Sequence, residues 1–213
     1  MSFFPHPRQN GDMPRDDAMK TILKNHLQTS RNDLMWKLEE LSERELRMPQ
    51  TPTGFNLLGV VKHMTLVEIG YFGDTFGRPW PNPDETFTDE QLESDPQADW
   101  YATETETAGS ILDFYRRVWV FADETIDTHT LDAQGTVPHW RPEKAAVSLQ
   151  QMMVHVIVDL TRHLGQVDIV RESIDGQVGL NPRNPNMPED HKPESGWDWD
   201  AYLAKLRTLA NNA

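Results

Sequence analysis

Apolar residues recur every three or four positions along four long stretches of the chain, which is the spacing of amphipathic α-helices. The first stretch runs from Asp16 to Leu41, the second from Asn56 to Phe76, the third starts near Thr103, and the fourth lies between Ser148 and Gly176. A shorter amphipathic segment, WDWDAYLAKLRTLA, follows near the end. No segment is convincing as part of a sheet. The pattern predicts an all-α protein, a four-helix bundle of up-down order with long crossover loops, plus a short C-terminal helix.

Capping signals place the helix ends. A Ser or Thr followed three residues later by Glu or Gln predicts a helix start, and this pairing occurs at Ser42, Thr103 and Ser148. Residues 77–99 contain four prolines and many acidic residues, which predicts a long ordered loop over one end of the bundle. Residues 128–146 predict a second irregular connection. We expect a flexible tail over residues 1–15 and a single domain over residues 16–213.

Composition excludes several classes of site. The chain contains no cysteine, so disulfides, thiolate nucleophiles and cysteine-based metal sites are absent, and a metal would need His and carboxylate ligands. The formal net charge is −14 with no cluster of Lys or Arg, which argues against nucleic acid as a partner. No apolar run approaches the roughly 18 residues of a membrane helix, and the N-terminal residues lack a signal-peptide core. A cytoplasmic protein without a membrane partner is the expectation.

Metal-ligand residue types fall on the apolar face of the fourth helix. Asp159 and His163 stand four residues apart, and the other members of that face are Met152, Val156, Val167 and Val170. A carboxylate removed from water needs a partner or a metal ion. In helical bundles, metal sites combine side chains from facing helices, which makes His63 of the second helix the natural third ligand. The same spacing also suits a helix-surface ion pair, and His155, one turn before Asp159, is a rival ligand.

Two segments carry a family resemblance. WKLEELSERELRMPQTPTGFNLLGVVKHMTLVEIGYFGDTFG (36–77) and HVIVDLTRHLGQVDIVRESIDG (155–176) resemble the DinB superfamily, specifically the actinobacterial branch that is similar to mycothiol-dependent enzymes. The resemblance implies a four-helix bundle that holds a divalent metal through a His of the second helix and a pair four apart on the later long helix. Carried over to this sequence, these positions are His63, Asp159 and His163.

One position departs from the family pattern. The mycothiol-dependent branch has Glu-x-x-x-His on the later helix, whereas this chain has Asp159, whose side chain is one methylene shorter. The shorter carboxylate predicts a weaker hold on the ion, a bridging water, or recruitment of His155. His155 and Gln166 are also candidates for residues that orient the ligands. The resemblance favours zinc, with nickel or iron as alternatives.

The resemblance implies a metal-dependent S-transferase or isomerase that uses a low-molecular-weight thiol such as mycothiol, activated at the metal, against an electrophile. Without cysteine in the chain, the nucleophilic sulfur has to arrive with this cosubstrate. The alternative is a non-catalytic bundle that binds a small molecule or protein and keeps a structural or vestigial metal site. Stripes on the first and terminal helices suggest a homodimer. The residues expected to line a pocket are Trp36, Tyr71, Trp80, His139 and Trp140.

Overall fold

A computed structural model describes residues 15–187 and 195–212. The α-helices are α1 Arg15–Lys37, α2 Glu43–Arg47, α3 Leu57–Glu68, α4 Asp89–Ser94, α5 Ala108–Thr128, α6 Pro142–Ala145, α7 Leu149–Asp175 and α8 Trp199–Asn211. A π-helical turn, Ile69–Gly73, and a 3-10 turn, Asp74–Phe76, continue α3. Two further 3-10 turns are Pro83–Glu85 and Ala98–Trp100. The long helices α1, α3, α5 and α7 confirm the predicted all-α bundle. Helix α8 confirms the predicted C-terminal helix.

Contacts divide the chain into two compact units, Met1–Val167 and Asp168–Ala213. The first holds α1 to α6 and most of α7, and the second holds the end of α7 together with α8. The single domain predicted for residues 16–213 stays a prediction. The tail predicted for residues 1–15 lies outside the described residues, apart from Arg15, where α1 begins.

Most of the apolar stripe residues predicted from the sequence lie in the core of the first unit, although Met19, predicted on the stripe of α1, is exposed. The inward residues of α5 are all buried, namely Ile111, Tyr115, Val118 and Ala122. Leu27 and Leu34 of α1, and Leu57, Val60 and Met64 of α3, are also fully buried. Burying each of the Val, Leu, Ile and Met side chains contributes roughly 1.5–3 kcal/mol before the entropic cost of folding is subtracted. Apolar periodicity is therefore what fixes the arrangement of these helices.

Several predicted helix ends are confirmed by their hydrogen bonds. Ser42 and Glu45 form a complete capping box at the start of α2. At the start of α7, the Ser148 amide donates to Gln151 Oε1 at 2.8 Å. Gly176, at φ +79°, follows the last residue of α7, which is the left-handed position where glycine commonly ends a helix.

Two predicted helix boundaries are wrong. Helix α1 ends at Lys37, four residues before Leu41, because the chain tightens into 3-10 bonding and Glu40 takes a left-handed φ of +65°. Helix α5 begins at Ala108, capped by Thr107, and not at Thr103. The Thr103 amide does donate to Glu106 Oε2 at 2.7 Å, but it closes only a turn there.

The two connections predicted as irregular contain regular structure. Helix α4 and the 3-10 turn Pro83–Glu85 lie within residues 77–99, and the 3-10 turn Ala98–Trp100 overlaps their end. Thr88 and Gln91 form a capping box for α4. Strand β1, Gln134–Thr136, pairs antiparallel with strand β2, Ala146–Ser148. These strands have only three residues each, too short for an alternating pattern to stand out in the sequence.

A polar cluster joins three helices inside the apolar core. Arg31 of α1 and Glu68 of α3 form an ion pair whose side chains are both fully buried. The Arg31 Nε donates to Glu68 Oε1 at 3.0 Å, and the Tyr115 hydroxyl of α5 donates to the same oxygen at 3.0 Å. Burial and the carboxylate of Glu68 raise the pKa of the Tyr115 phenol well above its ordinary value. Sequence periodicity gave no sign of this cluster.

Within residues 15–187 and 195–212, no helix combines the length and the apolar character needed to span a bilayer.

Candidate metal centre

The three residues predicted as metal ligands come together in the first unit. His63 lies in α3, whose start is fixed by the Asn56 side chain, and Asp159 and His163 lie one turn apart on α7. One potential ligand atom from each residue lies within 4.8 Å of the others. All three are half-buried, so they meet at a surface cleft that a small molecule can reach.

The imidazole ring of His63 is held from two directions. Its Nδ1 lies 2.7 Å from Asp99 Oδ2, and the ring stacks on Trp100 with centroids 4.0 Å apart and planes inclined by 20°. Because a carboxylate accepts hydrogen bonds, Nδ1 carries the proton in this contact. In this tautomer the Nε2 lone pair is left for another partner, the arrangement usual for a metal-binding histidine.

His163 has the same arrangement through a different partner. Its Nδ1 lies 2.9 Å from Gln166 Oε1, one turn further along α7. Its Nε2 faces Asp159 Oδ1 at 3.6 Å. That separation permits an ion pair with a protonated ring but is too long for a hydrogen bond. The helix-surface ion pair considered from the spacing alone would therefore be a loose one.

Two imidazole nitrogens and a carboxylate oxygen form a donor set that suits zinc, and also nickel or iron. Atoms that share one zinc ion lie within about 4.4 Å of each other, because each bond is about 2.0–2.2 Å. The observed limit of 4.8 Å is close to this value, so small side-chain movements would bring the three ligand atoms close enough to share one ion. The donor set and its spacing fit a divalent ion. An oxygen of the short Asp159 carboxylate lies within 4.8 Å of a nitrogen of each ring.

Asp99 and Trp100 were not predicted as site residues. They reach His63 because the Trp100 carbonyl oxygen accepts a hydrogen bond of 2.8 Å from Asn56 Nδ2. The same oxygen lies where a side chain at Gly59 would be, since a Cβ there would be 1.9 Å away. Asn56 and Gly59 thus dock the loop onto the start of α3. The one signal in the sequence was a tryptophan in a polar loop, which needs a surface to pack on.

Two clefts adjoin the three residues. The first, which we call the Trp100 cleft, has a volume of about 370 Å³ and is lined by Thr53, Gly54, Phe55, Asn56, Gln97, Trp100, Tyr101, His163 and Gln166. The second, the Tyr71 cleft, has about 390 Å³ and is lined by His63, Leu66, Val67, Gly70, Tyr71, Leu92, Asp99, His139 and Asp159. Both volumes are in the range of small-molecule sites, about 300–1,000 Å³.

Tyr71 lies in the π-helical turn that continues α3. Such turns shift the following side chains relative to a regular helix and are frequent at functional sites. The ring packs edge-on against His155 with centroids 4.7 Å apart, and the hydroxyl lies 3.5 Å from His139 Nε2. Burial raises the pKa of the Tyr71 phenol, and the negative charge of Asp159 adds to the increase. The phenol is therefore protonated near neutral pH and able to donate a hydrogen bond.

The other predicted pocket residues are distributed unevenly. His139 lines the Tyr71 cleft, and Trp140 lies edge-on to Tyr71 at 5.9 Å. Trp80 instead packs against Phe114 and Phe121. The ammonium of Lys37 lies over the ring of Trp36, 4.9 Å from the ring centroid. Trp36 lines neither of the two clefts.

The two residues considered as supporting or alternative ligands have different positions. His155 packs its ring against Tyr71 and Trp140 and is not part of the three-residue group. Gln166 contacts His163 directly. The hydrogen bond to His163 therefore supports an orienting role for Gln166, whereas His155 contacts the aromatic rings of Tyr71 and Trp140.

Comparison with known families gives one match. The family model described as mycothiol-S-transferase matches residues 22–176, which include the three candidate ligands. The chain belongs to the mycothiol-S-transferase family. This confirms the DinB resemblance noted in the sequence, because the family is part of that superfamily. No curated protein matches the chain. Membership of the mycothiol-S-transferase family supports a mycothiol-related transferase function.

Proposed function

We propose that this protein is a divalent-metal-dependent mycothiol S-transferase in which His63, Asp159 and His163 hold the ion, with zinc favoured over nickel or iron. The observation that carries the proposal is that one ligand atom from each of the two histidines and the carboxylate lies within 4.8 Å of the others, while Asp99 and Gln166 occupy the Nδ1 atoms. Three protein ligands leave positions open for a substrate, which is the layout of a catalytic site. A divalent ion held by these residues would lower the pKa of a bound thiol and so favour the reactive thiolate near neutral pH.

The residues around the group have separate tasks in this proposal. Asp99 and Trp100 fix the ring of His63, and Gln166 fixes that of His163, so the donor atoms are oriented before the substrate arrives. Tyr71 keeps its proton and can donate a hydrogen bond to the electrophile or its leaving group. In the transfer, a carbon–sulfur bond forms, the leaving group departs with its electron pair, and the thiol proton passes to solvent.

A transfer assay tests this function. Purified protein is given mycothiol and a model electrophile such as chlorodinitrobenzene, before and after chelation of divalent metal and again after zinc is restored. We expect thiol-dependent consumption that chelation abolishes and zinc restores. His63→Ala should lower kcat/KM by at least about a hundredfold, because it removes a donor from the ion that activates the thiol.

His26, an exposed residue of α1, supplies the matched control. His26→Ala should leave the kinetics unchanged. The proposal is wrong if chelated protein and His63→Ala transfer the thiol as fast as the untreated wild type. A non-catalytic bundle with a structural metal would instead show no thiol consumption and a lower unfolding midpoint after chelation.

A further inference from the structure

We infer that the Trp100 cleft binds the glucosaminyl-inositol portion of mycothiol, and that the Tyr71 cleft receives the electrophile. The inference rests on the proposed function and adds a division of substrates between two sites. The candidate ligands are themselves divided in this way, because His163 lines the Trp100 cleft whereas His63 and Asp159 line the Tyr71 cleft. A sulfur atom held at the three residues would therefore adjoin both clefts.

The Trp100 cleft has the chemistry of a carbohydrate site. Thr53, Gln97 and Gln166 contribute a hydroxyl and two amides, groups that both donate and accept hydrogen bonds as sugar hydroxyls do. Gln166 uses its carbonyl oxygen on His163 and retains an amide nitrogen with two donors. Three aromatic rings also line the cleft, and flat apolar faces of this kind pack well against the C–H faces of sugar rings. The aromatic residues are Phe55, Trp100 and Tyr101.

Charge supports a neutral ligand in the same cleft. Among the nine described residues that line it, none is Asp, Glu, Lys or Arg. The glucosaminyl-inositol unit of mycothiol is uncharged because the glucosamine nitrogen is acylated by the cysteine. Glutathione brings carboxylates and coenzyme A brings phosphates, and neither would find a cation here to offset its loss of hydration. The net charge of −14 opposes anionic thiols further.

The Tyr71 cleft has the complementary character. Leu66, Val67 and Leu92 form an apolar part of its lining, which suits the carbon skeleton of an electrophile. Tyr71 lines the same cleft with its protonated phenol, the hydrogen-bond donor needed near a departing or polarised group. No comparable group of aliphatic side chains lines the Trp100 cleft among the described residues.

Binding of the glucosaminyl-inositol fragment, which lacks the sulfur, tests the assignment separately from catalysis. Isothermal titration calorimetry with this fragment is carried out on metal-loaded and chelated wild-type protein, and on the double variant Thr53→Val/Gln97→Leu. Both positions are exposed, so the changes remove hydrogen bonds without opening the core. We expect wild type to bind and the double variant to bind at least about tenfold more weakly, the equivalent of losing one or two hydrogen bonds.

Two further variants make the result specific. Gln150→Leu repeats the change from Gln to Leu at an exposed position of α7 that lines neither cleft. It should leave the affinity for the fragment unchanged. Leu92→Gln alters the Tyr71 cleft and should raise KM for an apolar electrophile with no change in fragment affinity. Circular dichroism and the unfolding midpoint verify that each variant is folded. Glutathione should bind far more weakly than mycothiol.

The outcomes separate this inference from the proposed function. It is overturned if wild type does not bind the fragment, if the double variant binds it as tightly as wild type, or if Leu92→Gln is the variant that weakens its binding. Equal affinity for glutathione and mycothiol would overturn the selection for a neutral thiol. Loss of the proposed function would appear differently, as fragment binding without any thiol transfer.

Discussion

His63 and His163 each hydrogen-bond an oxygen acceptor through Nδ1, Asp99 in the first case and Gln166 in the second. The spacing of polar residues on an apolar stripe singled out Asp159 and His163, with His155 left as a rival, and the facing-helix argument together with the family resemblance added His63 to complete the group. These signals were not enough to predict how the rings are held, because Asp99 is 36 residues from His63 along the chain and lies on no periodic face. Gln166 could be predicted because it lies one helical turn from His163.

Removing the carboxylate of Asp99 should weaken metal binding. In Asp99→Ala the ring of His63 keeps its position against Trp100 but loses the acceptor that fixes its Nδ1 proton. Changes to such supporting groups typically cost about 10–100-fold in metal affinity, and we expect a loss of that size in a zinc titration against a competing chelator. Asp113→Ala, at an exposed position of α5, is the control. Equal affinity in wild type and Asp99→Ala would show that Asp99 does not orient the ligand.

Glu106 should make stability depend on pH in the acid range. Burial tends to raise the pKa of its carboxyl, but hydrogen bonds from Lys62 Nζ at 2.8 Å and the Thr103 amide at 2.7 Å prevail and hold the pKa below the ordinary 4.5. A depressed folded-state pKa stabilises the fold above 4.5, and this stabilisation disappears as the pH falls through the folded-state value.

The Glu106→Gln variant measures that contribution. Urea unfolding should show a lower free energy of unfolding than wild type at neutral pH, and the difference should shrink as the pH drops below 4.5. Glu104→Gln, at an exposed neighbouring position, should differ little from wild type at any pH. A difference that stays constant down to acid pH would mean that the ionised carboxylate is not the stabilising form.

At the scale of elements, the start of α3 positions the loop that supports the site. Gly59→Ala would place a methyl group only 1.9 Å from the Trp100 carbonyl oxygen. The backbone of the loop would have to move, and the stacking of Trp100 on His63 with it. We expect weaker zinc binding and a shifted indole signal of Trp100 in the NMR spectrum.

Gly109→Ala is the matched control for this effect. Gly109 lies in the first turn of α5, where an added Cβ would have ordinary contact with the Thr107 hydroxyl at 3.8 Å. Alanine there should be neutral or stabilise the protein by roughly 0.5–1 kcal/mol, since glycine is the poorer helix former. If Gly59→Ala also binds zinc normally with an unshifted Trp100 signal, close approach at Gly59 is not what positions the loop.

The buried Arg31–Glu68 ion pair ties α1 to α3, and Tyr115 adds α5. Glu68→Ala would remove the fully buried carboxylate and leave the buried guanidinium of Arg31 with only the partly exposed carboxylate of Asp123, which should destabilise the fold by up to about 3–5 kcal/mol in urea unfolding. The double change Arg31→Met/Glu68→Leu removes both charges and should recover much of that loss. If the single variant is as stable as the double, the cost of an unpaired buried charge is not the reason for the pairing.

Across the whole molecule, the sequence predicted what depends on local periodicity and capping. The helical stripes, the Ser42 and Ser148 starts and the Gly176 stop were recovered because each depends on neighbours within a few residues. The boundary near Thr103 was wrong because the capping box that starts α5 pairs Thr107 with Ser110, and not with a Glu or Gln. By contrast, the clefts, the Arg31 cluster and the Trp100 loop depend on distant partners. The homodimer stays a prediction.

The central claim is that His63, Asp159 and His163 together hold one divalent metal ion. Its most direct test is the zinc stoichiometry of the purified protein, measured by elemental analysis after equilibration with a limiting chelator. The account predicts about one zinc per chain in wild type and in His26→Ala, and a large loss in His63→Ala, Asp159→Ala and His163→Ala. Retention of one tightly bound zinc by all three site variants, or none in wild type, would contradict it.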